Sequence, residues 1–201
     1  MRRLVVLASI CGCSYKAPAT SQDAGNDAQP DSAVDGPVDS QPVDTQPGVF
    51  WQAITGATAD ENNLTKSTGL NQWGDSGASS VAMIVSGNCF VEFTTAEFNK
   101  GKTLGLSNGD ANRSFEDIDF AIQLGANGRV FIYEGASQIA SPGTYAASDV
   151  FRIEAIGSTI SYYQNGVLLL ARTKTPTFPL LVDAALFSAN ATLRGVTLGN
   201  L

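Results

Sequence analysis

Two Asn-Gly pairs constrain this chain more than any other feature. Asn127-Gly128 lies between Ile122-Gln123-Leu124 and Val130-Phe131-Ile132, and Asn165-Gly166 lies between Tyr162-Tyr163 and Val167-Leu168-Leu169. A two-residue hairpin in a type I′ turn needs positive φ at both central positions, which Asn and Gly tolerate best. Gly157-Ser158 marks a third such turn. Around them run short segments of period two: Phe151, Ile153 and Ala155 alternate with Val150, Arg152 and Glu154, which buries one face of a strand. The spacing predicts strands near 49–54, 63–66, 80–86, 88–95, 103–108, 117–124, 129–134, 149–156, 158–164, 167–172, 179–187 and 191–198. No window carries a capped 3.6-residue period, so the expectation is an all-β chain, a two-sheet sandwich or a barrel.

That pattern begins abruptly after Gly48. From Ser14 to Gly48 there are six aspartates, one lysine, five of the chain's eight prolines and a single aromatic, Tyr15. Asp23, Asp27, Asp31, Asp35 and Asp39 recur every fourth residue. On a helix they would stack on one face and repel, and Pro30 and Pro37 would break it. The expectation for 13–48 is a disordered, extended spacer. The formal net charge of −7 falls mostly here, and the part beyond has nine basic against thirteen acidic residues. A mildly acidic domain does not attract a phosphate backbone, which excludes nucleic acid as a partner class.

Ahead of the spacer, Met1-Arg2-Arg3 is basic, Leu4 to Ile10 is apolar, and Ile10-Cys11-Gly12-Cys13 places a small residue before a cysteine. The order is that of an export signal and is too short for a membrane-spanning helix. It resembles the lipobox of bacterial lipoproteins. The resemblance implies a signal over 1–12, a lipid thioether on Cys13 and a tether over 13–48 like those of myxobacterial and related deltaproteobacterial lipoproteins. Ser14 resembles the outer-membrane sorting pattern of Gram-negative lipoproteins, implying an extracytoplasmic protein held to the membrane by lipid alone. Cleavage before Cys13 would leave Cys89 as the sole thiol of the domain at 49–201, without an internal disulfide.

Within that domain a second resemblance runs in order along the chain. Gly87-Asn88-Cys89-Phe90-Val91-Glu92-Phe93, Leu104-Gly105-Leu106-Ser107, Asp149-Val150-Phe151-Arg152-Ile153, Tyr163-Gln164-Asn165-Gly166 and Pro179-Leu180-Leu181 are similar to the strands of concanavalin A-like and SPRY-like jelly rolls. The resemblance implies an antiparallel two-sheet β-sandwich used for recognition of carbohydrate or protein.

Glucanases share that architecture, and their chemistry needs two carboxylates on one strand face. The nearest match is Glu116-Asp117-Ile118-Asp119-Phe120. With Asp117 and Asp119 in the motif, Ile122 stands where the acid must be. With Glu116 leading, Ile118 stands at the middle carboxylate. The chain has no histidine, which removes Ser-His and Cys-His pairs and the commonest zinc ligand. Cys89 reads as a small buried hydrophobe. The sequence reading is therefore a non-enzymatic domain without cofactor, and a degenerate hydrolase is the weakest alternative.

Two features are candidates for ligand contact. Asp110, Asn112 and Ser114 alternate as oxygen donors, with Asp117 or Asp119 able to complete a calcium loop. Without the turn glycine and terminal glutamate of an EF-hand, a polar inter-strand loop with Asx turns is preferred. The other is an aromatic set, Trp73, Tyr133, Tyr145, Tyr163 and Phe178, with Arg152 directed outward. A sugar ring stacks on such a ring while Asp or Asn accepts its hydroxyl protons. Trp73, in Asn71-Gln72-Trp73-Gly74-Asp75, reads either as a plug of the core's end, which is preferred, or as a platform. The expected partner is a glycan or envelope polymer, and the alternative is an envelope protein bound by a purely structural module.

Overall fold

The computed structural model describes residues 48–201. The signal, Cys11, lipidation at Cys13 and the spacer lie outside the described residues. The strands are β1 (Trp51–Thr55), β2 (Ala57–Asp60), β3 (Asn63–Lys66), β4 (Gly77–Ile84), β5 (Cys89–Thr94), β6 (Lys102–Ser107), β7 (Phe120–Leu124), β8 (Arg129–Glu134), β9 (Ser137–Thr144), β10 (Val150–Ile156), β11 (Thr159–Gln164), β12 (Val167–Thr173), β13 (Leu180–Leu186) and β14 (Thr192–Asn200). The sole helical element among the described residues is a 3-10 turn over Phe115–Asp117.

The strands form two antiparallel seven-stranded sheets, ordered β1-β4-β13-β6-β7-β8-β9 and β12-β11-β10-β5-β14-β3-β2. This is the expected two-sheet sandwich. Period-two alternation decides what lies between the sheets. Leu104 and Leu106 of β6, Ile122 and Leu124 of β7, and Val182 and Ala184 of β13 face Val91 and Phe93 of β5, Phe151 and Ile153 of β10, and Tyr162 of β11. Burying a side chain of this size contributes roughly 1.5–3 kcal/mol. Cys89 and Trp51 join this core, and burial pushes the Cys89 thiol up to about 11.

The hairpins follow their turn residues, with one correction. Asn165 (φ 51°) and Gly166 (φ 75°) are both left-handed, and Gln164 pairs with Val167, the two-residue turn expected. At Asn127-Gly128 only Gly128 is left-handed (φ 77°). Leu124 pairs with Val130, and Gly125 N donates to Arg129 O at 2.8 Å. The loop is thus longer than two residues, because Asn127 Oδ1 accepts from Arg129 N at 3.2 Å instead, and one positive-φ glycine closes the turn. Two strands were not expected, the edge strands β2 and β9.

Candidate functional site

Leu181, Asp183 and Ala185 of β13, Thr103, Gly105 and Ser107 of β6, and Ser79 and Gly77 of β4 turn away from the core onto the outer face of the first sheet. Asp183 sits between Ser79 and Gly105 in register. The chain between β6 and β7 folds back over this face, and the missing side chains make that approach feasible. A Cβ on Gly105 would stand 2.0 Å from the Phe120 carbonyl oxygen of β7 and 2.8 Å from Ile118 Cγ2 of the loop, and one on Gly77 would stand 2.4 Å from the Ala184 carbonyl oxygen of β13 and 3.3 Å from Arg113 Cδ. Ile118 is fully buried there although it lies outside the central core.

This covering loop is built from short polar bonds. Asn112 Oδ1 accepts from Ser114 N at 2.6 Å, and Ser114 Oγ caps the 3-10 turn through Glu116 N. Asp117 Oδ2 accepts from the amides of Ala111 and Asn112, each at 2.9 Å. Arg113 Nη1 donates to Asp110 Oδ1 at 2.8 Å, and Arg113 Nε to Thr55 Oγ1 at 3.2 Å. Of the expected oxygen donors, Asp110 and Asp117 therefore come together, while Asn112 and Ser114 are occupied in the loop's own turns. Glu116-Asp117-Ile118-Asp119 lies in the 3-10 turn and the residues after it, not on a strand.

The sequence reading missed the third carboxylate. Asp183 reaches the loop from β13, and one oxygen each from Asp110, Asp117 and Asp183 lie within 4.8 Å of one another. Asp183 is only 3% exposed. Burial first, then the charges of Asp117 and Asp110, push its carboxyl up to about 8, against a smaller opposing pull from the Ala184 amide and Arg113. Beside the triad is a pocket of about 340 Å³ lined by Ser107, Asn108, Gly109, Asp110, Ala111, Asp117 and Asp119.

An aromatic row adjoins the loop. Trp73 packs on Phe187 at 5.1 Å and on Phe115 at 4.9 Å between ring centroids, and Phe115 meets Tyr133 edge-on at 5.1 Å. All four are half-buried, and such tilted pairs are favoured by the ring quadrupoles. The stretch bearing Trp73 is pinned from beneath. Lys66 Nζ, fully buried, donates to Asp75 Oδ1 at 2.5 Å and to the carbonyls of Gln72, Leu186 and Phe187, each at 3.0 Å.

The aromatic set read from the sequence thus divides three ways. Trp73 and Tyr133 join this row through Phe115 and Phe187, which that reading did not select. Arg152 and Tyr163 lie opposite each other on the outer face of the second sheet. There the Arg152 guanidinium covers the Phe90 ring at 3.6 Å and pairs with Glu154 at 2.7 Å and Glu92 at 3.3 Å. Tyr145 is a correction. It is buried in the core, its hydroxyl donates to the carbonyls of Gly125 (2.9 Å) and Lys100 (3.2 Å), and burial pushes its phenol up to about 12. A side chain so enclosed does not offer a face to a ligand. Phe178 is partly buried against the core.

No protein-family model and no curated protein matches the chain. Solved structures do. The chain is similar to the SPRY domain of human HERC1 (TM-score 0.55, 16% identity, covering 76% of this chain and 98% of that one). It is also similar to the PSpry domain of TRIM65 (TM-score 0.54, 11% identity, 77% and 90%) and to the metal-free carbohydrate recognition domain of Emp46p (TM-score 0.56, 13% identity, 74% and 87%). At these identities the likeness defines the fold: a jelly-roll sandwich of the kind found in SPRY and lectin-like domains.

Proposed function

We propose that this chain is a non-catalytic recognition domain whose ligand is a glycan or another extracellular polymer. The observation that carries the reading is the aromatic row of Phe187, Trp73, Phe115 and Tyr133, joined through Phe115 to the loop that lines a pocket of carboxylates and the Asn108 carboxamide. Aromatic rings meet the apolar faces of sugars, and the oxygens accept their hydroxyl protons. A few convergent polar groups beside aromatic surface are the usual make-up of a ligand site. That a carbohydrate recognition domain shares the fold supports the reading. The N-terminal pattern extends it: Cys13 carries lipid, the acidic spacer holds the domain off the membrane, and the protein works outside the cytoplasm, at the outer membrane of a Gram-negative cell.

The test is thermal unfolding of the full chain against a panel of polysaccharides and oligosaccharides. A saturable rise in Tm that Trp73→Ala removes, while Tyr163→Ala on the other sheet retains it, supports the assignment. A blank panel with folded protein counts against it. A second reading, a protein-interaction module, is favoured by one observation: Val81 and Met83 of β4, Val85 just after it and Phe50 just before β1 are exposed apolar side chains, the Phe50 carbonyl accepting from the Val81 amide. Surface of that kind marks protein contacts, and SPRY domains share the fold.

A further inference from the structure

Asp110, Asp117 and Asp183 converge from two separate parts of the chain, and their arrangement leaves charge unanswered. Asp117 spends Oδ2 on two loop amides, while its Oδ1 is buried with no hydrogen-bond partner among the described residues. Asp183 Oδ2 is likewise buried without a partner, on a side chain only 3% exposed. Arg113 is the cation that acts on Asp183, but its hydrogen bonds go to Asp110, Thr55 and the Asn112 carbonyl. It leaves both orphan oxygens unmet. A buried carboxylate oxygen without a donor is costly, and native structures rarely keep one without a reason.

The geometry points to a hard divalent cation of calcium type held by Asp110, Asp117 and Asp183. Calcium takes oxygen ligands at about 2.3–2.6 Å, so two oxygens on one ion lie at most about 5 Å apart. The three carboxylate oxygens meet that limit mutually, at 4.8 Å or less. The pocket beside them opens to Asn108, Gly109 and Asp119, leaving room for the waters that complete a shell of six to eight. Two ligands come from the 108–119 loop and the third from a central strand, so the ion would tie the loop to the sheet. The inference stands on these carboxylates alone and does not depend on what the aromatic row binds.

The experiment is calcium titration of the chelator-treated full chain, by calorimetry and by Tm, with no glycan present and calcium raised to about 10 mM, beyond the range of extracellular modules. One ion per chain with a saturable rise in Tm is expected. Asp183→Asn and Asp110→Asn should each weaken binding at least tenfold while circular dichroism remains that of the sandwich. Asp60→Asn, on the exposed strand β2, should leave binding unchanged. Wild-type protein that is folded yet shows neither heat nor a shift in Tm overturns the proposal. So does binding that Asp183→Asn leaves intact, and the orphan oxygens are then met by water or a proton. Because no glycan enters the assay, its failure is separate from failure of the recognition reading.

Discussion

The buried ammonium of Lys66 stands 2.5 Å from the carboxylate of Asp75, and the same nitrogen holds the carbonyls of Leu186 and Phe187. One charge therefore ties the Trp73 stretch, the end of β3 and the end of β13 together. Asp75 is also held by Thr68 Oγ1 at 3.1 Å. Replacing Lys66 with Met removes the cation from Asp75, which keeps only the Thr68 hydroxyl, and takes one donor each from the carbonyls of Gln72, Leu186 and Phe187. Breaking a buried pair in that way costs about 3–5 kcal/mol, and the remaining exposure of Asp75 sets the expectation at the low end. Urea unfolding should give a Lys66→Met loss of about 3 kcal/mol. A loss below about 1 kcal/mol would mean that the latch is replaceable by water.

Gly105 tests how the covering loop seats. Its φ is not in the left-handed region, so alanine meets no backbone penalty there. The cost is contact, because a Cβ would lie 2.0 Å from the Phe120 carbonyl oxygen as well as against Ile118. Backbone on a neighbouring strand cannot yield as a flexible side chain does, and overpacking typically costs about 1–3 kcal/mol. Gly105→Ala is expected at or above the top of that range. Gly143→Ala on β9 has nothing within 4 Å of the added atom and should be close to neutral. Equal effects of the two substitutions would refute the docking argument.

Asp183 makes stability depend on pH in an unusual sense. Its folded pKa, about 8, lies above the ordinary aspartate value of about 3.9. The folded state therefore holds the proton more tightly, and stability falls as pH rises from about 4 to about 8. The facing groups are Asp117 and Asp110, which raise the pKa, and Arg113, which lowers it. The chain has no histidine to titrate in that window. In chelator, Tm should drop by about 5 °C or more across it, and Asp183→Asn should flatten the profile and melt higher at pH 8. An unchanged slope in the variant would remove Asp183 as the cause.

The sandwich was readable from the sequence because its inner strands obey period two and its turns carry left-handed residues. Two of the four edge strands, β2 and β9, were not, although β1 and β12 were. β2 is Ala-Thr-Ala-Asp, largely exposed, and β9 contains Ser141-Pro142-Gly143. Edge strands tolerate proline and need no apolar alternation, so they leave little signal. The site was half legible. Trp73, Asp110 and Asp117 stood out as a ring and oxygen donors in polar stretches, and Tyr133 as an aromatic of the strand near 129–134. Asp183 sits in Leu-Val-Asp-Ala-Ala-Leu, which reads as a buried strand. Alternation turns it outward, but only the register of β13 against β6 and β4 brings it beneath the loop. Phe115 and Phe187 acquire a role through that same packing, as neighbours of Trp73.

A second buried lysine offers the clearest separation of charge pairing from packing. Lys102, fully buried, lies 2.5 Å from Glu97 Oε2 and also donates to Thr95 Oγ1 and, at 3.2 Å, to the Thr192 carbonyl. Burial foremost holds its pKa below the ordinary lysine value, although Glu97 opposes that shift. Burial alone would raise Glu97, but the hydrogen bond and charge of Lys102, with bonds from Thr192, leave it lowered. A lowered carboxylate stabilises the fold above its unfolded pKa and loses that contribution as pH falls through the folded value. Acid unfolding should therefore begin earlier in Glu97→Gln only to the extent that the amide loses Lys102, and its profile below about pH 4 should be flatter. Lys102→Met alone is expected to cost about 3–5 kcal/mol, whereas Lys102→Met with Glu97→Leu should recover most of it, because the apolar pair strands no charge. Should the double variant be as unstable as the single one, the bonds to Thr95 and Thr192, rather than the ion pair, hold this end of the sandwich together.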